Sequence, residues 1–144
     1  MLLAVLLVGW LAGPMPSRAG NDSEAERAVL ALAKPLEEAG FNFRADIWTR
    51  DLDADMGKAV RIQMFKGNEY RVCVAVSPVS GVQLTAHLLD SEQNAVEETT
   101  EVVNGGAWGL ILHIKPKHTG IYLFVVRETG KGKKAQCAMI TGYK

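Results

Sequence analysis

Val60-Arg61-Ile62-Gln63-Met64-Phe65-Lys66-Gly67-Asn68-Glu69-Tyr70-Arg71-Val72-Cys73-Val74-Ala75-Val76 is the stretch whose reading decides the fold. In its first half, apolar Val60, Ile62 and Met64 alternate with Arg61, Gln63 and Phe65. In its second half, Tyr70, Val72, Val74 and Val76 alternate with Arg71, Cys73 and Ala75. A period of two is the mark of extended chain, because successive side chains of a strand point to opposite faces. Gly67-Asn68 between the runs is a turn signal, so the two are predicted to pair as a hairpin.

The same period recurs on both sides. Upstream, Phe41, Phe43, Ala45 and Ile47 alternate with Asn42, Arg44, Asp46 and Trp48. Downstream, Val82, Leu84, Ala86 and Leu88 form a run that Asp90-Ser91-Glu92-Gln93-Asn94 closes. Residues 95–103, with Glu97, Glu98, Thr99, Thr100 and Glu101, suit an exposed edge strand, where charge discourages strand addition. Trp108, Leu110, Leu112 and Ile114 follow, then Ile121–Val126, apolar on both faces as a central strand, and last Gln136–Thr141. About eight short strands at roughly ten-residue spacing predict a mostly β chain, an antiparallel β-sandwich or jelly roll.

One helix precedes them. Ser23 followed by Glu26 is a capping box, and Ala25, Val29, Leu32, Leu36 and Ala39 recur at helical spacing before Gly40. Pro35 predicts a kink or break near Lys34. The chain is thus predicted to comprise a signal peptide over 1–19, a helical segment over 20–40 and a sandwich over 41–144. The signal peptide rests on the uncharged apolar run Met1–Ala12, broken by Gly13, Pro14 and Pro16, with Ser17-Arg18-Ala19 flanking a cut before Gly20. The run is much shorter than the roughly 20 apolar residues a membrane helix needs, so no span is expected in the mature chain. The chain is therefore expected to be secreted or periplasmic.

Formal net charge is zero, and cutting at Ala19 removes only Arg18. A near-neutral chain has no long-range field to gather phosphate backbones, which excludes nucleic acid as the expected partner. Outside the reducing cytosol, the even pair Cys73 and Cys137 is read as a disulfide. Such a bridge closes a long loop and constrains the unfolded chain by about 4 kcal/mol. It also requires the strands bearing the two cysteines to lie close together.

Several turns, taken in order, carry a family likeness: Gly67-Asn68-Glu69-Tyr70-Arg71-Val72 opening a strand, Leu88-Leu89-Asp90-Ser91-Glu92-Gln93-Asn94 ending one, and Thr119-Gly120-Ile121-Tyr122-Leu123 opening another. This order resembles the bacterial pre-peptidase C-terminal (PPC-like) domains, secreted β-sandwiches attached to extracellular enzymes. The resemblance covers roughly residues 58–127. It implies a non-catalytic role in secretion, adhesion or substrate targeting. The Gly-x-Tyr corner is structural, since a tyrosine hydroxyl there can tie a strand start to nearby backbone.

Candidate chemistry is sparse. Asp51, Asp53 and Asp55 form D-x-D-x-D, and alternating carboxylates can converge on Ca²⁺. An EF-hand is excluded, because Met56 and Ile62 stand where its glycine and late glutamate belong. His87 and His113 would neighbour one another if their strands paired, while His118 lies beyond Pro116. Trp108, among Gly105, Gly106 and Gly109, and Trp48, on a polar strand face, are candidate ligand-binding aromatics. No G-x-S-x-G elbow occurs. The expected function is a secreted, non-catalytic binding or accessory module of the bacterial envelope or extracellular space, with a protein or glycan partner. The alternatives are a small hydrolase or lyase with a site of histidines and carboxylates, and an inhibitor-like protein that presents a loop.

Overall fold

A computed structural model describes residues 23–53, 56–103, 106–129 and 134–144. The predicted signal peptide lies outside them. Helix α1 (Glu24–Glu38) is followed by nine strands: β1 (Asn42–Phe43), β2 (Trp48–Leu52), β3 (Lys58–Met64), β4 (Tyr70–Val76), β5 (Leu84–Leu89), β6 (Thr99–Val102), β7 (Gly109–Ile114), β8 (Gly120–Glu128) and β9 (Ala135–Tyr143). All pairings are antiparallel. The larger sheet runs β1-β9-β4-β7-β6, with β2 pairing farther along the same edge of β9, and the smaller runs β3-β8-β5. The predicted sandwich with one N-terminal helix is the observed architecture.

The Ser23 hydroxyl oxygen accepts the Glu26 N–H at 3.1 Å, which satisfies one orphan donor of the first turn. At the other end the Gly40 N–H donates to Glu37 and the Phe41 N–H to Leu36, both at 3.0 Å, with Gly40 at φ 100°. This is a Schellman ending, and glycine takes the left-handed position without a Cβ clash. Contrary to the expected break, α1 runs through Pro35. Pro35 lies in the last turn on the exposed side, where the carbonyl it leaves unpaired, that of Ala31, meets solvent.

Three layers result. Val72, Val74 and Val76 of β4 and Cys137 and Met139 of β9 face the small sheet, packing with Ile62, Met64, Leu84, Leu88, Phe124 and Val126. The opposite faces of β4 and β9, through Cys73, Ala75, Ala138 and Ile140, pack on Ala25, Ala28, Val29 and Ala33 of α1. The two central strands are therefore buried on both sides. A fully buried valine or leucine contributes roughly 1.5–3 kcal/mol, so this doubly covered pair is the stable centre of the chain. β8 is central in its own sheet, as expected, but its outer face is open: Ile121 is exposed and Leu123 and Val125 are half-buried.

Two further expectations are overturned. The segments flanking Gly67-Asn68 do not form a hairpin, since β3 pairs with β8 in one sheet and β4 with β7 and β9 in the other. The turn is an arch between layers, pinned by the Phe65 N–H donating to the Tyr70 hydroxyl at 2.7 Å. The Cys73–Cys137 disulfide is absent, and both cysteines are free and buried. Their strands are neighbours, as the bridge required, but Cys73 lies opposite Ile140 and Cys137 opposite Val76. An offset of three residues puts the thiols on opposite faces and about 10 Å apart along the strands, beyond disulfide reach. Burial pushes the Cys73 thiol up to about 12 and the Cys137 thiol up to about 11. Both thiols are expected to resist a thiol reagent in the folded protein and to react fully once it is unfolded, without a reductant. Failure to react in denaturant would reveal a bridge.

Candidate functional site

The β6–β7 ladder ends at the pair Thr99↔His113. Upstream of Thr99 the chain leaves β7 and crosses to the small sheet, where Ala95 bridges Leu89 and the Val96 N–H donates to the Leu88 carbonyl at 2.9 Å. β7 continues to Ile114 without that neighbour. The gap between the crossover and the β7–β8 connection is a cleft of about 690 Å³. Glu69 and Arg71 line it from β4 and the turn before it, Val96, Glu97, Glu98 and Thr99 from the crossover, and Lys115, Lys117 and His118 from the connection. Ile114 and Tyr122 supply apolar surface, and Asp90 and His113 complete its polar rim.

The rim carries both signs of charge, and much of it is paired internally. Arg71 Nη2 stands 2.7 Å from Glu69 Oε1, and Lys117 Nζ stands 3.8 Å from Glu97 Oε2. His113 Nε2 lies 3.1 Å from Glu101 Oε2. Asp90 Oδ1 accepts the N–H groups of Glu92 and Asn94, each at 2.9 Å, which builds the acidic turn. The hydrogen bond from Arg71 holds the Glu69 carboxyl below its usual range. Tyr122 donates its hydroxyl to the His118 carbonyl at 2.5 Å, the tie expected of the Gly-x-Tyr corner, and so fixes the connection against β8.

Glu98 is the unusual group. Its side chain is only 12 % exposed. One oxygen accepts the Leu88 N–H at 3.1 Å, and the other lies 4.0 Å from His87 Nδ1. Burial pushes its carboxyl up to about 7, against the lowering effect of the Leu88 N–H. Thr100 and Val102 pair with core-facing Leu112 and Leu110, and Glu98 stands two residues upstream in that same inward phase. An acid at the inward phase of an edge segment was the signal available in the sequence. Glu97 and Glu101, exposed on either side of it, give the segment the look of one solvated acidic run. Arg71 and Lys115 carried no such signal, because each is an ordinary strand or loop cation until the layers assemble.

The residues singled out in the sequence are dispersed. His87 and His113 belong to different sheets and do not pair. Trp48 lies opposite Met139 at the sheet edge, half-buried against the core, with Arg50 over its ring at 5.2 Å. Trp108 is half-buried against both core layers. Neither tryptophan lines the cleft. Asp51 is exposed on β2, and Asp53 Oδ1 accepts the Met56 N–H at 3.0 Å, while Asp55 lies outside the described residues. Lys58 and Lys134 share the small hollow beside Asp51 and Asp53, which balances the charge that Ca²⁺ would need. Among the described residues no three His, Cys, Asp or Glu side chains are grouped to hold a metal ion, and no helix is long and apolar enough to cross a membrane.

No protein-family model matches the chain, and no curated protein matches it.

The raised carboxyl of Glu98 has a thermodynamic consequence. A carboxyl that titrates higher in the folded state than in the unfolded state favours folding at low pH, and that contribution is lost as pH rises from about 4.5 towards 7. Glu98→Gln keeps an acceptor for the Leu88 N–H but cannot ionise. Its melting temperature is expected to gain on the parent's as pH rises from 5 to 8. A constant difference across that range would show that Glu98 titrates as an ordinary exposed acid.

Proposed function

We propose that this chain is an exported, non-catalytic binding module whose ligand sits in the cleft between the 95–99 crossover and the β7–β8 connection. The observation that carries the reading is the cleft itself. It is open, about 690 Å³ in volume, and combines an apolar floor with charged groups of both signs. Ligand sites are concavities that combine apolar surface with placed polar groups, and here charged side chains and histidines make up most of the lining. Among the described residues the cleft lining includes neither serine nor cysteine. The two thiols of the protein are buried elsewhere, in the two core layers. The turn order shared with PPC-like domains and the apolar start of the chain support an extracellular or envelope setting. The chain would then act as an accessory that holds a protein or glycan partner.

One observation favours a second reading. A carboxyl raised to about 7 beside a cleft has the protonation behaviour of a general acid, and Glu98 is such a group. A small hydrolase or lyase would use it in that role.

Amide chemical-shift mapping against peptide and oligosaccharide panels separates the two. A binding module is expected to show ligand-dependent shifts clustered at Val96, Thr99, His113, Lys115 and His118, with the ligand recovered unchanged. Shifts confined to other surfaces would remove the cleft from consideration. Turnover that Glu98→Gln abolishes while binding persists would establish the enzyme. The mass of the exported chain is expected to show loss of residues 1–19, and an intact N-terminus would remove the export reading.

A further inference from the structure

We infer that the cleft takes the C-terminal end of a peptide with an apolar side chain, whose carboxylate replaces Glu69 at Arg71 and Lys115. This rests on the reading of the cleft as the binding site. Arg71 is preorganised: its side chain is 12 % exposed, its guanidinium lies over the Phe41 ring at 4.6 Å, and its Nη1 donates to the Tyr70 carbonyl at 3.1 Å. Its Nε is buried without a hydrogen-bond partner. A donor held in that way is costly to leave unmade, and a second carboxylate oxygen would satisfy it in the fork geometry that arginine favours.

Glu69 already behaves as a ligand of this site. Its carboxylate sits on Arg71 at 2.7 Å, yet its side chain is one-third exposed and can swing into solvent. Lys115 lines the same cleft as Glu69 and Arg71, its charge helps hold the Glu69 carboxyl low, and it has no ion-pair partner of its own among the described residues. Arg71, Lys115 and Lys144 thus all bear on one acid, and Arg71 and Lys115 are the two of them that line the cleft. The remaining acids of the cleft are engaged otherwise, Asp90 by backbone N–H groups, Glu97 by Lys117 and Glu98 by the Leu88 N–H. The free attraction at this end of the cleft is for an anion.

Two features select a peptide rather than an acidic sugar. The apolar surface of the cleft comes from Val96, Ile114 and Tyr122, and no tryptophan among the described residues lines it. The β6–β7 ladder stops at Thr99↔His113, one residue short of the end of β7, so among the described residues no β6 partner stands beside Ile114 at the cleft. An extended peptide end can meet that edge, and capture of a terminal carboxylate by cations and backbone is a recurrent recognition mode.

The test titrates the full chain with N-acetyl-alanyl-leucine, with its C-terminal amide and with glucuronate, following cleft amide resonances. The free acid is expected to bind roughly tenfold more tightly than the amide, the scale of one charged hydrogen bond. Lys115→Gln is expected to lower that preference, Arg71 keeping part of it, and Glu69→Gln to strengthen binding of the acid, because the internal competitor loses its charge. Both positions are at least partly exposed, so the fold is expected to survive either change. Equal affinity for acid and amide, or weaker binding in Glu69→Gln, would overturn the inference. Binding of glucuronate alone would also overturn it while leaving the cleft as the site. If no ligand of any class moved these resonances, the cleft reading itself would fall.

Discussion

Burial of β4 and β9 on both faces is the constraint on which the rest of this structure depends. A strand in a two-layer sandwich needs one apolar face. These two carry small and branched apolar residues on both, and one side remains in water unless something covers it. Helix α1 is that cover, which explains its stripe of small buried residues, Ala25, Ala28 and Ala33. Small residues let the helix lie close on a sheet face that is itself made of Cys73, Ala75, Ala138 and Ile140. The helix therefore belongs to the domain as a third layer and is not an appendage before it. Its contact extends to the last strand of the chain, so the N- and C-terminal parts of the fold stabilise each other.

The same double burial decides the chemistry of the two cysteines. Adjacent strands bring Cys73 and Cys137 near in the fold, but the pleat separates them by face. One thiol belongs to the helix-side layer and the other to the inter-sheet core. Both are packing residues, and burial raises both thiols well above the range in which a thiolate would react.

The cleft follows from the second topological feature, the passage of the chain between sheets. At Gly67-Asn68 the passage is a tight arch closed by Tyr70. At residues 95–98 it is a longer strap that leaves β7 uncovered at its end. The strap is tied to the edge of β5 by Val96 and Glu98, so the wall of the cleft depends on one half-buried carboxyl. Its opposite wall is fixed by Tyr122 and by Arg71 over Phe41. The walls are thus anchored by specific contacts, while Lys115 and Lys117 are exposed on the connection.

The sequence by itself determined the class of structure. Alternation along β3, β4, β5 and β7 announced the strands, the Ser23 cap and Gly40 bounded the helix, and the Gly-x-Tyr corner identified the tie at Tyr122. These are local effects, set by the pleat, by orphan backbone groups and by φ preferences within a few residues. Pairing was not local. Nothing in Gly67-Asn68 distinguishes a hairpin from an arch between sheets, because each satisfies the same turn. The register that parts Cys73 from Cys137, the separation of His87 from His113, and the meeting of Arg71, Lys115 and Glu98 around one cleft all depend on which strands become neighbours. Only the tertiary structure decided them, because burial of both faces of β4 and β9 is satisfied by the whole assembly and by no single segment.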